Sequence, residues 1–270
     1  MPPRQKTLVL LLLATALPAL SVRAETRDTG IRFRSVTVGA TTYRYEVYVP
    51  PTWTPQKRWP VILFLHGAGH RGEYAPNSNA SVLARLFLSY QKQTRALVVF
   101  PRCWAGAWWS DPDMEAMALG ALRETMKEYN GDSERVYLTG LSMGGYGVWY
   151  IAARHPGTFA ALAPVSGGVR KPRAIPIPAV STLADPYADV AGRIDGTPVW
   201  VFHGSADDTI DVGESRRMVE ALRKAGGHVR YTEYKGVSHN AWDRAYREPE
   251  FFTWLLSHRL HPAATPAAHE

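Results

Sequence analysis

Residues 135–150 read RVYLTGLSMGGYGVWY, a short apolar run that breaks at Gly140 and is followed by a helix-like pattern. The break contains the pentapeptide G-L-S-M-G, with Ser142 at its centre. A strand that enters a helix through one sharp turn strains the backbone of the central residue, and glycines on either side relieve the crowding. The stretch therefore predicts a strand, a turn and a helix that expose the Ser142 hydroxyl above the end of a sheet.

Apolar runs and amphipathic stretches alternate along the chain on both sides of this turn. Period-two alternation at 31–38 and 42–49 predicts an antiparallel hairpin at a sheet edge. Further strands are predicted at 61–65, 96–100, 135–139, 159–166, 198–202 and 229–234. Helical patterns are found at 81–91, 111–129, 146–154, 214–224 and 248–260. This order predicts an α/β fold with a mostly parallel central sheet, an antiparallel N-terminal hairpin and helices on both faces.

The first 24 residues have the pattern of a secretory signal peptide. Arg4 and Lys6 precede an apolar run, and the segment ends in the small-x-small triplet Val22-Arg23-Ala24. The apolar core is shorter than the about 20 residues that span a bilayer, and Pro18 interrupts it, so a membrane anchor is not expected. We therefore predict a secreted or periplasmic protein, with a catalytic domain at 25–260 and a flexible Pro/Ala-rich tail at 261–270.

Charge and cysteine content exclude some classes of protein. The net charge of +7 becomes +4 without residues 1–24, which hold three basic residues and no acidic one, and the remaining basic residues are scattered. Nucleic-acid binding is therefore not expected. Cys103 is the only cysteine, so an intrachain disulfide is excluded and a buried thiol is expected. No metal or cofactor is expected, and the oligomeric state stays open.

A second informative turn, His66-Gly67-Ala68-Gly69, comes directly after the predicted strand 61–65. Glycines let the backbone approach a substrate carbonyl and leave an amide pointing at it. We assign the backbone N–H groups of Ala68 and Met143 as candidate oxyanion donors, Met143 being the residue after Ser142. His66 is interpreted as a brace of the loop rather than as a catalytic base.

Two later strands are followed by a carboxylate and an imidazole. Asp207 lies in His203-Gly204-Ser205-Ala206-Asp207-Asp208, after strand 198–202, and His239 lies in the loop after 229–234. A serine hydroxyl needs a neighbouring imidazole to take its proton, and a buried carboxylate orients that imidazole. Ser142, Asp207 and His239 are thus the candidate catalytic residues. The rival acids are Asp208, Asp185 and Asp189.

The loop 103–109, CWAGAWW, is rich in indole. It is either a packed loop over the sheet end or an aromatic wall for an apolar acyl group. Trp108, Trp109 and Tyr146 are the candidate substrate-binding residues. The proline-rich segment 169–196, helical only in its second half, is either a lid or a surface crossover.

Taken together, these motifs resemble the α/β-hydrolases of the secreted esterase group labelled predicted peptidase or phospholipase/carboxylesterase. Dienelactone-hydrolase-like, feruloyl-esterase-like and polyhydroxybutyrate-depolymerase-like proteins are related to this group. The resemblance rests on YRYEVYVP (43–50), WPVILFLHGAGHRG (59–72), RVYLTGLSMGGYGVWYIAARHP (135–156), PVWVFHGSADDTI (198–210) and YTEYKGVSHNAWD (231–243). It implies Ser142 as nucleophile, Asp207 as acid and His239 as base, with Ala68 and Met143 as oxyanion donors.

Two features depart from that group: His70 stands where such proteins commonly have an acidic residue, and 170–184 looks longer than the usual crossover. Both weaken any transfer of substrate preference. The expected function is a secreted serine hydrolase that cleaves small or polymeric carboxylic esters, including feruloyl or polyester types, through an acyl-enzyme. The alternatives are a serine peptidase, a secreted acyltransferase and a non-catalytic binding protein on the same scaffold.

Overall fold

One eight-stranded sheet runs through the computed structural model, which describes residues 29–72, 82–89, 95–194 and 196–260. The strands are β1 (Gly30–Val38), β2 (Thr41–Val49), β3 (Trp59–Leu65), β4 (Leu97–Phe100), β5 (Gly131–Leu141), β6 (Ala161–Val165), β7 (Val199–Gly204) and β8 (Val229–Tyr234). Their order across the sheet is β1-β2-β4-β3-β5-β6-β7-β8. The hairpin β1–β2 and the pair β2–β4 are antiparallel, and all other neighbours are parallel. The predicted mostly parallel sheet with an antiparallel N-terminal hairpin is confirmed.

Helices cover both faces of this sheet, as predicted. They are α1 (Val82–Ser89), α2 (Pro112–Glu128), α3 (Met143–Arg154), α4 (Pro186–Ile194), α5 (Gly213–Lys224), α6 (Trp242–Ala245) and α7 (Phe251–Ser257), with a 3₁₀ turn at Ala68–His70. Alternate residues of β3 point to opposite sides, Leu63 into a core shared with α2 to α5 and Phe64 into a core shared with α1, α6 and α7. A strand buried on both faces needs such a continuous apolar run, which is why 61–65 contains no polar residue.

The C-terminal region differs from the sequence-based prediction. The expected helix over 248–260 is limited to α7, Phe251–Ser257. Pro249 disfavours a helical backbone at the residue before it. Beyond α7 the chain becomes extended at His258, and the Leu260 N–H donates to the Glu134 carbonyl at 2.8 Å. The predicted signal peptide at 1–24 and the tail at 261–270 lie outside the described residues.

Parallel pairing sets the position of the candidate site. The carboxyl ends of β3, β5, β7 and β8 lie at the same edge of the sheet, since these strands run in one direction. The loops after them carry Ala68, Ser142, Asp207 and His239 respectively. Residues that are up to 171 positions apart in the chain, Ala68 and His239, are thereby brought to one edge.

Candidate active site

Ser142 occupies the sharp turn between β5 and α3. Its backbone has φ 54° and ψ −117°, in the left-handed half of conformational space that non-glycine residues rarely adopt, and its N–H donates to the Val165 carbonyl at 2.9 Å. Gly144 is required beside it, because a Cβ there would lie 2.0 Å from the Leu65 carbonyl oxygen. The close approach of α3 to the end of β3 holds the strained turn in place. Ser142 is 6% exposed, so its hydroxyl lies in a recess rather than on an open surface.

The side chain of Ser142 reaches the imidazole of His239. Ser142 Oγ lies 2.8 Å from His239 Nε2, and His239 Nδ1 lies 2.8 and 3.0 Å from the two oxygens of Asp207. The loop that carries His239 packs on the end of β7 at Gly204, where a Cβ would lie 2.3 Å from the Val237 carbonyl oxygen. Because Gly204 has no side chain, the loop that carries Asp207 and the loop that carries His239 can meet there.

The Asp207 carboxylate is buried and fully hydrogen-bonded. Its Oδ1 accepts the backbone N–H groups of Thr209 and Ile210, each at 2.9 Å, and its Oδ2 lies 3.1 Å from His203 Nε2. Burial acts to raise the pKa of Asp207, but the bonds from the two imidazoles and the backbone outweigh it and hold that pKa well below its usual range. Asp207 is therefore an anion at neutral pH and only accepts hydrogen bonds.

This anion fixes the proton on His239. Because a carboxylate has no proton to donate, His239 Nδ1 must carry the proton of that bond. Nε2 of the neutral ring is then an acceptor, and the Ser142 hydroxyl donates to it. An imidazole in this tautomer can take the serine proton as the oxygen attacks a carbonyl.

The rival carboxylates are bonded elsewhere. Asp208 is exposed and accepts a hydrogen bond from the Thr209 hydroxyl at 3.2 Å. Asp185 accepts the Ala188 N–H at the start of α4, and Asp189 pairs with Arg193 one turn along the same helix. Of the four candidate acids, Asp207 is the one bonded to His239.

Ala68 and Met143 lie at the ends of the neighbouring strands β3 and β5. Ala68 begins the 3₁₀ turn and Met143 begins helix α3. Backbone N–H groups in the first turn of a helix have no partner within that helix. Arg71 ties the first of these turns to the tryptophan loop, because its guanidinium donates to the Ala68 carbonyl at 3.1 Å and the Ala107 carbonyl at 3.3 Å. It also stacks 4.4 Å from the Trp108 ring.

His66 is the buried histidine of the same turn. Its Nε2 accepts the Cys103 N–H at 3.1 Å, so its Nδ1 carries the proton and donates to the Gly67 carbonyl at 2.8 Å. Burial lowers the pKa of His66 to about 3, which keeps the ring neutral. These contacts agree with its interpretation as a brace. Burial also raises the pKa of the Cys103 thiol to about 12, so that thiol stays protonated.

The three candidate substrate-binding residues occupy different depths. Trp108 is half-buried and borders a narrow cleft. Trp109 is 1% exposed and its indole N–H donates to the His66 carbonyl at 2.9 Å, while Tyr146 is 3% exposed and its hydroxyl donates to the Arg170 carbonyl at 2.9 Å. Trp109 therefore fits the packed-loop alternative. Trp109 and Tyr146 form a packed floor that lines the cleft, with their polar atoms bonded to the backbone.

The cleft is apolar and small. Its volume of about 10 Å³ is close to the smallest that admits a single water molecule. Besides the aromatic residues, its lining includes Met143, Gly147, Ile177, Pro178 and Val180. The middle of the proline-rich segment thus borders the cleft, and its start is fixed by Glu214, which accepts the Val169 and Arg170 N–H groups at 2.8 and 2.9 Å. Both alternatives for this segment, a lid and a surface crossover, stay open.

Sequence reasoning missed two contacts at the site. It used His203 only as a marker of a strand end, whereas His203 contacts the Asp207 carboxylate. Asp111 occupies the N-cap position of α2, but its carboxylate accepts the Trp108 N–H at 2.9 Å and makes no side-chain cap bond. A histidine four residues before the acid was a usable signal for the first contact. Nothing in the sequence separates capping from loop bonding for Asp111.

Two kinds of feature are absent from the described part of the chain. No group of three or more His, Cys, Asp or Glu side chains there is arranged to hold a metal ion. None of the helices in that part is long and apolar enough to cross a membrane.

The mostly parallel sheet, covered by helices and with a strained serine turn after β5, defines an α/β-hydrolase. Residues 39–248 match the Esterase family, described as "Putative esterase". This match covers more than half of the chain, and the chain belongs to that family.

The chain is also similar to individual proteins. The crystal structure of a thermostable esterase superposes with a TM-score of 0.68 and 31% identity, covering 84% of this chain and 63% of that one. Poly(3-hydroxyalkanoate) depolymerase C of Paucimonas lemoignei is 24% identical over 211 residues, or 66% of this chain. An uncharacterised secreted protein of Arthroderma benhamiae is 28% identical over 247 residues, or 78% of this chain. The chain spans only 45% and 26% of the length of these last two proteins.

Proposed function

We propose that this chain hydrolyses carboxylic esters through a covalent acyl-enzyme on Ser142. The observation that carries the proposal is the continuous line of hydrogen bonds from Ser142 Oγ through His239 to Asp207, with bond lengths of 2.8 Å at each step. A serine, an imidazole in the accepting tautomer and a buried anion are the groups that acyl transfer requires. Membership of the Esterase family supports an ester as the substrate.

In the first half of the reaction Ser142 Oγ attacks the ester carbonyl carbon and its proton passes to His239 Nε2. Asp207 stabilises the resulting imidazolium through the Nδ1 hydrogen bond. The carbonyl oxygen, now an anion, is held by the N–H groups of Ala68 and Met143. The tetrahedral intermediate collapses, the carbon–oxygen bond to the alcohol breaks, and the alcohol leaves with the proton from Nε2.

In the second half, water takes the place of the alcohol. His239 Nε2 accepts a proton from that water as its oxygen attacks the acyl carbon of the Ser142 ester. The second tetrahedral intermediate releases the carboxylic acid, and the proton returns from Nε2 to Ser142 Oγ. The same donors and the same imidazole therefore serve both steps.

The size of the cleft sets the acyl preference that we propose. The cleft next to Met143 is apolar but narrow, and Trp108, Ile177 and Val180 are among the residues that line it. A hydrophobic pocket gains from each added methylene only while the chain fits. We therefore expect acetyl and butyryl esters to be cleaved faster than octanoyl esters.

A substrate panel tests the proposal directly. It contains p-nitrophenyl acetate, butyrate and octanoate, methyl ferulate, poly(3-hydroxybutyrate) because one relative is a poly(3-hydroxyalkanoate) depolymerase, and an aminoacyl p-nitroanilide. Turnover of the short esters should be abolished in Ser142→Ala and unchanged in Ser133→Ala, a matched change of an exposed serine. Turnover of the anilide alone would favour a peptidase, and product esters formed with added alcohol would favour an acyltransferase. Binding without any turnover would favour the non-catalytic scaffold.

We also propose that the catalytic domain, residues 25–260, is exported after removal of residues 1–24. The signal-peptide pattern and the similarity to a secreted protein support this. N-terminal sequencing of protein recovered outside the cytoplasm should begin at Glu25. Recovery of the full-length chain from the cytoplasm alone would contradict export.

A further inference from the structure

A second histidine lies on the far side of Asp207 from His239. His203 is the penultimate residue of β7 and is completely buried. Its Nδ1 lies 2.7 Å from the Ser215 hydroxyl on α5, and its Nε2 lies 3.0 Å from the Ile210 carbonyl and 3.1 Å from Asp207 Oδ2. Every polar atom of this ring is therefore bonded.

The partners determine where the His203 proton is. Both groups at Nε2, a backbone carbonyl and a carboxylate anion, only accept hydrogen bonds, so Nε2 must carry a proton. In the neutral ring Nδ1 is then an acceptor, and the Ser215 hydroxyl donates to it. Ser215 thus satisfies Nδ1 in the tautomer whose Nε2 proton faces Ile210 and Asp207.

The bonds divide the carboxylate into two sides. Oδ1 accepts two backbone N–H groups, from Thr209 and Ile210, and also lies 3.0 Å from His239 Nδ1. Oδ2 lies 2.8 Å from His239 Nδ1 and 3.1 Å from His203 Nε2. Rotation of the carboxylate about its bond to Cβ would break contacts on both sides. With His203 absent, the Oδ2 side would be held by His239 alone, the group whose orientation the carboxylate has to control.

We infer that His203, whose proton is held on Nε2 by its two acceptors and whose Nδ1 is satisfied by Ser215, is a positioning residue that fixes the Asp207 carboxylate so that it orients His239. The inference rests on the proposed function, because Asp207 matters only if Ser142 and His239 perform the reaction. His203 touches neither substrate nor the reacting atoms and acts through the acid. The line of polar contacts thereby begins at Ser215 on α5 and runs through His203, Asp207 and His239 to Ser142.

Two replacements at His203 separate positioning from packing. The amide nitrogen of His203→Gln can reach the Nε2 position and donate to Asp207, whereas the amide of His203→Asn reaches only the Nδ1 position, beside Ser215. We expect His203→Gln to keep kcat within about threefold of wild type and His203→Asn to lower it roughly ten- to hundredfold, as for loss of one hydrogen bond to a charged acceptor. KM should change less than about twofold in both, because the substrate cleft is untouched.

A spectroscopic measurement reports on the contact itself. The proton between His239 Nδ1 and Asp207 should give a low-field proton resonance in wild type and in His203→Gln. That resonance should shift or broaden in His203→Asn. Val219→Ala, a buried change one turn along α5 from Ser215, is the control for destabilisation alone and should leave kcat and the resonance unchanged.

The outcomes distinguish the inference from the proposed function. If Ser142→Ala keeps esterase activity, the proposed function fails. If Ser142→Ala is inactive while His203→Asn matches Val219→Ala in kcat and in the resonance, the proposed function stands and the inference is overturned. Should His203→Asn fail to fold, Ser215→Ala decides: kcat lowered about threefold with KM unchanged supports the inference, and kcat equal to that of Val219→Ala overturns it.

Discussion

Replacing Asp207 with asparagine keeps the shape of the side chain and removes its charge, and the surrounding donors decide how the amide must lie. The asparagine oxygen has to remain at the Oδ1 position, because an NH₂ group there would face the N–H groups of Thr209 and Ile210. The NH₂ group then points at the protonated Nε2 of His203 and at Nδ1 of His239. His239 can relieve this clash only by moving its proton from Nδ1 to Nε2.

The expected loss of activity follows from that tautomer. With the proton on Nε2, His239 presents a donor to Ser142 and cannot accept the serine proton. A change of this kind costs about 10⁴-fold in kcat in a serine–histidine–aspartate site. That factor corresponds to about 5.4 kcal/mol of transition-state stabilisation, at about 1.36 kcal/mol per decade. Asp208→Asn is the matched control, and because Asp208 is exposed we expect a change within about twofold.

Initial rates with p-nitrophenyl butyrate, measured for both variants at equal concentrations of folded protein, test this prediction. Thermal unfolding confirms that neither variant is simply unfolded. An Asp207→Asn variant that keeps more than about a tenth of wild-type kcat would refute the tautomer argument. A large loss in Asp208→Asn with little loss in Asp207→Asn would exchange the two assignments.

Two further predictions concern the tryptophans at the cleft and the buried imidazole of His66. Trp108→Ala should change the preference among acetyl, butyryl and octanoyl esters with little effect on the free energy of unfolding. Trp109→Ala should cost about 3–5 kcal/mol of stability, since it empties a buried site. The reverse pattern, in substrate panels and urea unfolding, would contradict the depths assigned to these two side chains. His66 has a pKa of about 3 in the folded chain against 6.5 in the unfolded one, so its contribution to stability is complete above pH 6.5 and is lost as pH falls towards 3. Between pH 7 and pH 5, protonation of His66 in the unfolded chain should lower the free energy of unfolding by about 2 kcal/mol in wild type, a loss that His66→Gln should lack. Equal losses in urea titrations of both proteins would count against a buried, neutral His66.

Much of the fold could be predicted because its strands are buried on both faces. The run 61–65 and the segment 136–138 of β5 are buried and apolar at every position, which distinguishes them from amphipathic helices. Helix ends were less predictable where tertiary contacts decide them. The chain after Ser257 leaves the helix and pairs with Glu134 of β5, a residue 126 positions before Leu260, and no local pattern encodes that pairing.

The candidate site was predictable where backbone geometry demands a residue type and unpredictable where only side-chain contacts do. Gly144 is dictated by a close backbone approach, so the sharp turn at Ser142 can be predicted from the sequence. The depth of Trp109 depends on how the indole packs against His66 and the start of α3, which spacing does not determine. The same holds for the contact between His203 and Asp207, which exists because the loop after β7 turns back on itself.

Covalent labelling tests the central claim, that Ser142 is the nucleophile, most directly. Wild-type protein treated with a fluorophosphonate should gain one adduct by intact mass, and peptide mapping should place it on the peptide that contains Ser142. Asp207→Asn should label much more slowly, and Ser142→Ala should not label at all. An adduct mapped to another residue, or undiminished labelling of Ser142→Ala, would contradict the account.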